Sequence, residues 1–215
     1  NQETKLAKQE ALLRIVNQAY SYLKNHSALE TVVFAVSLLE DNELFNAGIG
    51  SQIQSDGKIR MSAALMDGTT QSFSGVINIQ VAHCLMDYED SVLGGRGATN
   101  FARRHGFDKF STEIPQRRAE YKAKLKASRM GTVGCVAMDQ NGKLAVATST
   151  GGKGFEIPGR ISDSATVAGN YANEFCGVSL TGVGEDIVSN ATAAKIVTRV
   201  TDGFTLENAF EKTFN

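Results

Sequence analysis

Residues 130–152, MGTVGCVAMDQNGKLAVATSTGG, carry the strongest structural signal in the chain. Apolar residues alternate on both sides of the Asn-Gly pair at 141–142, and such a pair between two alternating runs is typical of a hairpin turn. The stretch therefore predicts two paired strands. Hydroxyl and glycine residues stand at both strand mouths, Gly131 and Thr132 before the first strand and TSTGG, residues 148–152, at the end of the second. Side chains from different strands can converge at such ends.

The composition is that of a folded chain with one large domain or two small ones. The 215 residues are 42% hydrophobic, which is enough to bury a sizeable core. Lys and Arg number 22 against 23 Asp and Glu, so nothing indicates nucleic acid or an anionic membrane as a partner. No apolar run approaches the ~20 residues of a membrane helix, and the polar first residues lack the apolar core of a secretory signal. Three widely spaced cysteines and three histidines give no metal-ligand spacing and favour a reduced, cytoplasmic setting.

Hydrophobic periodicity predicts the elements around the hairpin. It predicts helices in five segments: 2–25, the residues from the Ser27 and Glu30 capping box to Leu39, 90–106 with the glycine loop GGRG before it, 185–200, and 205–214. It predicts further strands in three segments: 58–65, 72–79 and 178–182. The basic segment 107–130 predicts a solvated, mobile linker more than a polyanion site. Grouped helices and strands indicate an α+β fold with sheets covered by helices, not alternating β-α-β units.

The hydroxyls at the strand mouths need a base, because a threonine hydroxyl alone is a weak nucleophile. None of the three histidines lies near these turns in the sequence, so no Ser-His-Asp set is expected. If the bond between Gly131 and Thr132 were cut, Thr132 would own a free α-amino group, which titrates near ~7.7–8.0 and can accept the proton. Glycine before the threonine lets the chain bend for such a self-cleavage. From the residue alone, Thr132 as an ordinary β-branched strand residue stays open.

Several motifs in order resemble one family. The second half contains GTVGCVAMD, GKLAVATSTGG, PGRISDS, GNYAN and SLTGVGED, and the first half contains LLEDNELFNAGIGS, DGKIRMSAALMDG and FSGVINI. Over most of residues 5–215 the chain resembles the plant-type L-asparaginase and isoaspartyl peptidase family of N-terminal-nucleophile threonine hydrolases, and its wording is nearest to bacterial and cyanobacterial members. The resemblance implies a four-layer αββα sandwich and one domain, 1–215. It implies autocleavage into an α subunit, 1–131 with a linker at about 107–131, and a β subunit, 132–215, and a homodimer of such αβ units.

The resemblance also implies roles for individual residues. Thr132 would be the nucleophile, exposed by cleavage after Gly131, and Thr150 would orient it. Thr181 and Gly182 would form the oxyanion hole. Four further residues would bind substrate: Arg160 and Asp163, which would grip its α-carboxylate and α-amino groups, Gly184, and Asn46 beside the nucleophile. A guanidinium makes a bidentate clamp on a carboxylate, and a carboxylate pairs with an ammonium.

Other interpretations of these residues stay open without the resemblance. Arg160 and Asp163 are spaced as a surface ion pair, residues 181–186 as a plain strand-to-helix turn, and Asn46 as a turn residue. The family's loop around Asn46 wraps a sodium ion with main-chain carbonyls. Carried over, these are the carbonyls of Leu39, Glu40, Asn42, Phe45, Ala47 and Ile49. Oxygen ligands suit a hard cation. A structural sodium is the only ion implied, and no cofactor is implied for catalysis.

The implied activity is hydrolysis of L-asparagine and β-aspartyl (isoaspartyl) dipeptides through a β-aspartyl-threonine acyl-enzyme. The alternatives are a glycosylasparaginase-like or protein-aspartyl-cleaving relative, or an uncleaved, non-catalytic binding homologue. Nucleotide binding by GGRGATN, residues 94–100, is disfavoured because it matches neither a P-loop nor a strand-following G-x-G-x-x-G. The family's first strand and last hairpin have no counterpart in the chain, so we expect 1–215 to be the ordered part of a longer protein; the alternative is a truly trimmed protein.

Overall fold

The computed structural model describes residues 2–77, 86, 88–108, 110–123 and 131–215. Seven helices lie in these ranges: α1 Gln2–Leu23, α2 Ala28–Glu40, α3 Gly95–Arg104, α4 Pro115–Lys122, α5 Gly184–Asn190, α6 Thr192–Thr201 and α7 Leu206–Phe214. The strands there are β1 Ser62–Asp67, β2 Ser72–Ile77, β3 Val92–Leu93, β4 Val133–Met138, β5 Leu144–Thr150, β6 Asn170–Ala172 and β7 Gly177–Ser179. This mixed α+β content confirms the predicted class. Among the described helices none has the length and apolar character that crossing a membrane requires.

The predicted hairpin is confirmed and forms one edge of the main sheet. β4 pairs antiparallel with β5, and Gly142 turns the chain at φ 75°, a left-handed value that glycine adopts without strain. Within the described ranges this sheet has five strands, in the order β3-β2-β1-β5-β4. β1 pairs antiparallel with β5, with Ser62 opposite Thr150, so the sheet joins strands from the two halves of the chain. β6 and β7 pair antiparallel in a second sheet.

Both faces of β5 are buried, because alternate residues of a strand point to opposite sides of its sheet. Ala145 and Ala147 belong to the same apolar cluster as Val32 of α2. Val146, which lies between them, belongs to a separate cluster with Ala172 of β6. α6 contacts β6 and β7, and α7 packs on α6. The sheets are therefore covered by helices, as the grouping of elements predicts.

The second helix begins at the predicted capping box. Ser27 Oγ accepts a hydrogen bond from Glu30 N at 3.2 Å, and Ser27 N donates to Glu30 Oε2 at 2.9 Å. The box satisfies two backbone donors that the first turn of a helix otherwise leaves without partners. This cap sets where α2 starts and therefore where its apolar face meets the sheet.

The first helix is confirmed, but its predicted buried face is partly wrong. Ala11, Ile15 and Ala19 are its buried residues, a row at four-residue spacing that lies along one face of a helix. The predicted core residues Leu12 and Val16 are 43% and 58% exposed because they lie off this row. On the opposite side α1 carries an exposed apolar stripe: Leu6, Leu13, Val16 and Tyr20.

Two predictions in the first half need correction. The strand predicted from residue 58 begins at Ser62, because Arg60 turns back to pair with Asp56 at 2.8 Å. The helix predicted over 90–106 contains a short strand, β3, which pairs parallel with β2. α3 then starts at Gly95, so most of the GGRG loop forms its first turn.

The linker prediction is wrong for the residues of α4. Proline stands in the first turn of this helix, where its missing N–H costs nothing. Arg117 Nε donates to the carbonyl of Gly50 at 2.8 Å, and the Tyr121 hydroxyl donates to the carbonyl of Ser55 at 3.1 Å. The segment is therefore docked on the first half of the chain. Residues 124–130 of the predicted linker lie outside the described residues.

The helix predicted over 185–200 is two helices. Ala191 separates α5 from α6 with φ 47° and ψ 46°, a left-handed conformation that costs a residue with a side chain roughly 1–2 kcal/mol. The break lets Ala193 N donate to the carbonyl of Ala168 at 2.8 Å. The strand predicted over 178–182 ends at Ser179, so the residues after it belong to a loop.

Candidate active site

A cavity of about 310 Å³ opens beside the ends of β4 and β5. Seven predicted site residues line it: Gly131, Thr132, Thr150, Arg160, Asp163, Gly182 and Gly184. Asn46 and Thr181 are not among its lining residues. Residues that are up to 53 positions apart in sequence thus meet at one cavity.

The pairing of β4 with β5 explains how the two hydroxyls meet. Val133 lies opposite Ser149 in the antiparallel register. Thr132, which precedes Val133, therefore lies beside Thr150, which follows Ser149. The Oγ1 atoms of Thr132 and Thr150 are 3.1 Å apart, within hydrogen-bond distance. Thr150 Oγ1 also accepts the backbone N–H of Gly152 at 3.2 Å. The Thr150 side chain is therefore held by its own turn and is oriented toward Thr132.

Asn46 lies behind these residues and holds the TSTGG turn. Its Nδ2 donates to the carbonyl of Gly152 at 2.5 Å, and its main-chain carbonyl accepts from Gly151 N at 2.8 Å. A Cβ atom on Gly131 would stand 2.4 Å from the Cβ of Asn46. Because real side chains do not approach so closely, only glycine fits before Thr132 in this arrangement.

Asp163 is a buried carboxylate with one oxygen left over. The residue is 5% exposed, and its Oδ1 accepts from Ser162 Oγ at 3.1 Å. Its Oδ2 has no hydrogen-bond partner among the described residues. Burial raises the pKa of Asp163, while Ser162 and the Arg160 guanidinium partly offset the rise. A buried carboxylate oxygen without a donor is costly, so this atom is suited to receive a donor from a ligand.

Arg160 does not pair with Asp163, so the interpretation as a surface ion pair between them is wrong. Its Nε donates to Glu185 Oε1 at 2.9 Å. A Cβ on Gly184 would lie 2.6 Å from Asp163 Oδ1 and 2.7 Å from Arg160 Nη2. The two charged groups therefore converge on the backbone of Gly184, which leaves them room because it has no side chain.

Two charged cavity residues, Lys153 and Glu185, were not predicted from the sequence. Lys153 Nζ lies 2.8 Å from Glu185 Oε1, the same oxygen that Arg160 binds. Arg160 and Lys153 together lower the pKa of Glu185 to about 2. In the sequence, a lysine after Gly-Gly and a glutamate in a first helical turn look like ordinary surface residues, so no signal there singles them out.

The predicted oxyanion pair is only half at the cavity. Gly182 lines it, whereas Thr181 is exposed and does not. α5 begins at Gly184, so the backbone N–H groups of its first turn lie beside the cavity. The role of Thr181 stays a prediction.

The loop predicted to hold sodium has oxygen donors of the right kind. The carbonyl of Glu40 accepts from Ile49 N at 2.7 Å, which closes the loop, and Gly48 takes a left-handed φ of 54° within it. From the described residues, the carbonyls of Phe45, Ala47 and Ile49 receive no hydrogen bond. The other three predicted carbonyls, those of Leu39, Glu40 and Asn42, each accept a backbone N–H. In the whole described part of the chain, no three His, Cys, Asp or Glu side chains cluster in a way that could hold a metal ion. Oxygen ligands suit a hard cation such as sodium, and the site stays a prediction.

Glu40 also has a side-chain contact that the sequence does not announce. Ser149 Oγ, which is fully buried, donates to Glu40 Oε1 at 2.5 Å. Burial raises the pKa of Glu40 to about 7, although the hydrogen bond from Ser149 opposes the rise. The contact joins the end of α2 to the residue directly before Thr150.

Comparison with known proteins identifies the class. The sequence profile described as asparaginase matches residues 1–118 and 108–215, which together span the chain. The chain belongs to this asparaginase family, and the predicted resemblance is confirmed.

Individual relatives share this similarity over most of their length. An isoaspartyl peptidase/L-asparaginase of Synechocystis sp. is 45% identical, with 94% of this chain and 70% of the relative covered. An isoaspartyl peptidase of Escherichia coli is 37% identical, covering 94% and 73%. A plant-type L-asparaginase of Pyrococcus abyssi is 36% identical, covering 86% and 70%.

Proposed function

We propose that this chain is a threonine amidohydrolase that cleaves L-asparagine and β-aspartyl dipeptides after autocleavage between Gly131 and Thr132. The observation that carries the proposal is the 3.1 Å approach of the Thr132 and Thr150 hydroxyls in a cavity lined by Arg160 and Asp163. The relatives named isoaspartyl peptidase and L-asparaginase support the substrate class.

Recognition of the substrate uses groups that asparagine and β-aspartyl dipeptides share. Within the described residues, the side chain of Arg160 donates only through Nε, so its two Nη groups can take the α-carboxylate as a fork. The unpartnered Oδ2 of Asp163 can accept from the α-ammonium. An incoming ammonium also favours the ionised form of Asp163, whose pKa burial raises. Substrate binding therefore relieves the cost of this buried carboxylate.

The chemical steps then follow from a freed α-amino group on Thr132. Thr132 Oγ attacks the side-chain carbonyl carbon, and its amine takes the hydroxyl proton. The backbone N–H of Gly182, with the hydroxyl of Thr181, stabilises the negative oxygen. The carbon–nitrogen bond breaks, the amine returns the proton to the leaving nitrogen, and ammonia or an amino acid departs. Water then attacks the β-aspartyl ester, which releases aspartate and restores Thr132.

We infer the finer architecture from the packing. α2 packs on one face of β5. On the other face β6 contacts β5, and α6 in turn contacts β6. These contacts support a four-layer αββα sandwich. Within it, residues 1–131 and 132–215 would be the α and β subunits of one domain. The exposed apolar stripe of α1 supports a homodimer of αβ units, because such a stripe is a typical surface for a second copy. We also propose a cytoplasmic location and a structural sodium ion.

The test combines mass and turnover. We expect the purified protein to appear as two fragments, one beginning at Thr132, and to release aspartate from asparagine and from β-aspartyl-leucine. Thr132→Ala should stay one piece and be inactive, while the exposed control Thr69→Ala should behave as the wild type. A wild-type chain that stays intact and binds substrate without turnover would be the uncleaved binding homologue. A Thr132→Ala protein that releases aspartate at the wild-type rate would exclude the mechanism.

A further inference from the structure

Lys153 has no part in the chemistry above, although it lines the same cavity as Thr132. Among the described lining residues, Arg160 and Lys153 are the two cations. Arg160 is assigned to the substrate's α-carboxylate. Lys153 keeps about half of its side chain exposed, at 49%, so its ammonium stands at the rim.

The ammonium of Lys153 is close to the Arg160 guanidinium. Lys153 Nζ and Arg160 Nε lie 2.8 and 2.9 Å from the same oxygen of Glu185. Two positive charges therefore share one carboxylate, and the three side chains together carry a net charge of +1. Glu185 keeps Arg160 as a partner if Lys153 turns to a ligand, so the exchange leaves no charge without a partner. Because half-exposed ion pairs are weak, this exchange costs little.

The two proposed substrates differ in a group that a rim cation can recognise. Asparagine loses ammonia, whereas a β-aspartyl dipeptide loses an amino acid that carries its own carboxylate. The two carboxylates of the dipeptide lie six bonds apart, which spans up to about 7 Å. The second carboxylate therefore lies within reach of a cation on a flexible stem beside Arg160.

We propose that Lys153 binds the carboxylate of the leaving amino acid and so sets the preference of this site for β-aspartyl dipeptides over asparagine. The inference rests on the proposed hydrolysis, and it adds a leaving-group subsite at the rim of the cavity. Lys153 acts on one substrate class and not on the other, because Arg160 already holds the one carboxylate of asparagine.

The test compares kcat/KM for three substrates: L-asparagine, β-aspartyl-leucine and β-aspartyl-leucinamide, which lacks the second carboxylate. We expect Lys153→Gln to lower kcat/KM for β-aspartyl-leucine by about three- to tenfold. Its values for asparagine and for the leucinamide should stay at the wild-type level, which also shows that the variant is folded. Lys153→Arg should keep most of the preference. Lys143→Gln, at the exposed hairpin turn, controls for the loss of one positive charge.

Each outcome decides between the two ideas. If the wild type hydrolyses neither asparagine nor the dipeptides, the proposed function fails and this inference falls with it. If the wild type is active and Lys153→Gln changes all three substrates equally, or none of them, the leaving-group subsite alone is wrong. A wild type that does not distinguish β-aspartyl-leucine from its amide would also overturn it.

Discussion

The part-buried contact between Glu40 and Ser149 predicts a stability change that depends on pH. Replacing Glu40 by Gln keeps the size of the side chain and an oxygen that can accept from Ser149 Oγ, but it removes the carboxylic acid. Because Glu40 is partly shielded from solvent at the end of α2 and burial raises its pKa, ionising it in the folded protein is costly. The substitution should therefore raise the free energy of unfolding at pH values where this carboxyl group is charged.

The size of the effect follows from the two pKa values. In the folded protein burial raises the pKa to about 7, against an ordinary value of 4.5 in the unfolded chain. A raised folded pKa means that the contribution to stability is complete below pH 4.5 and is lost as the pH rises to about 7. Since one pKa unit corresponds to about 1.4 kcal/mol, Glu40→Gln should raise the free energy of unfolding by about 2 to 3 kcal/mol more at pH 8 than at pH 5.

The measurement is urea unfolding at both pH values in sodium-free buffer, since a nearby cation would stabilise the charged carboxylate. A Thr132→Ala background keeps the protein as one chain if Thr132 directs its cleavage, so that unfolding is reversible in principle. Glu10→Gln, on the exposed side of α1, controls for the loss of one carboxylate. If Glu40→Gln and wild type differ by the same amount at pH 5 and pH 8, to within about 0.5 kcal/mol, Glu40 is not a buried acid and the reasoning is refuted.

Two further predictions concern the cavity and the sodium loop. Gly184→Ala should raise KM about tenfold or more, because its Cβ would come 2.6 Å from Asp163 Oδ1. The melting temperature should stay near that of wild type, because alanine suits a helix. Unchanged steady-state kinetics would contradict substrate binding by Arg160 and Asp163. At equal ionic strength, the wild type should melt at a higher temperature in NaCl than in KCl. Gly48→Ala should abolish this difference, because its Cβ would come 2.2 Å from the Glu40 carbonyl oxygen. Equal melting temperatures of the wild type in the two salts would argue against a sodium site.

Local signals in the sequence predicted the elements whose cause is local. The Asn-Gly hairpin and the Ser27 cap depend on residues within a few positions, and both are confirmed. The predictions were wrong where contacts between residues far apart in the sequence determine the local structure. α4 is ordered by hydrogen bonds from Arg117 and Tyr121 to a loop 67 and 66 positions away, and its charged sequence gives no sign of them. The break at Ala191 likewise depends on tertiary contacts, since alanine is the best helix former.

The candidate site shows the same division. Glycine and hydroxyl motifs marked the residues near Thr132, because close backbone approach and strand-end hydroxyls leave a visible pattern. Lys153, Glu185 and the Ser149 contact to Glu40 left none, since a charged side chain has the same letter whether it faces solvent or a cavity. Only the fold shows which charges meet.

The pairing of β1 with β5 has a consequence for any cut between them. The six backbone pairs from Ser62 opposite Thr150 to Asp67 opposite Ala145 tie the polypeptide before position 131 to the polypeptide after it. Severing the connection would leave this seam and the core beneath it unchanged, so the pieces should co-elute and resist dissociation without denaturant. Either piece produced alone would expose a strand edge with unpaired backbone N–H and C=O groups and would aggregate. Reconstitution from separately made halves should therefore require that they fold in each other's presence.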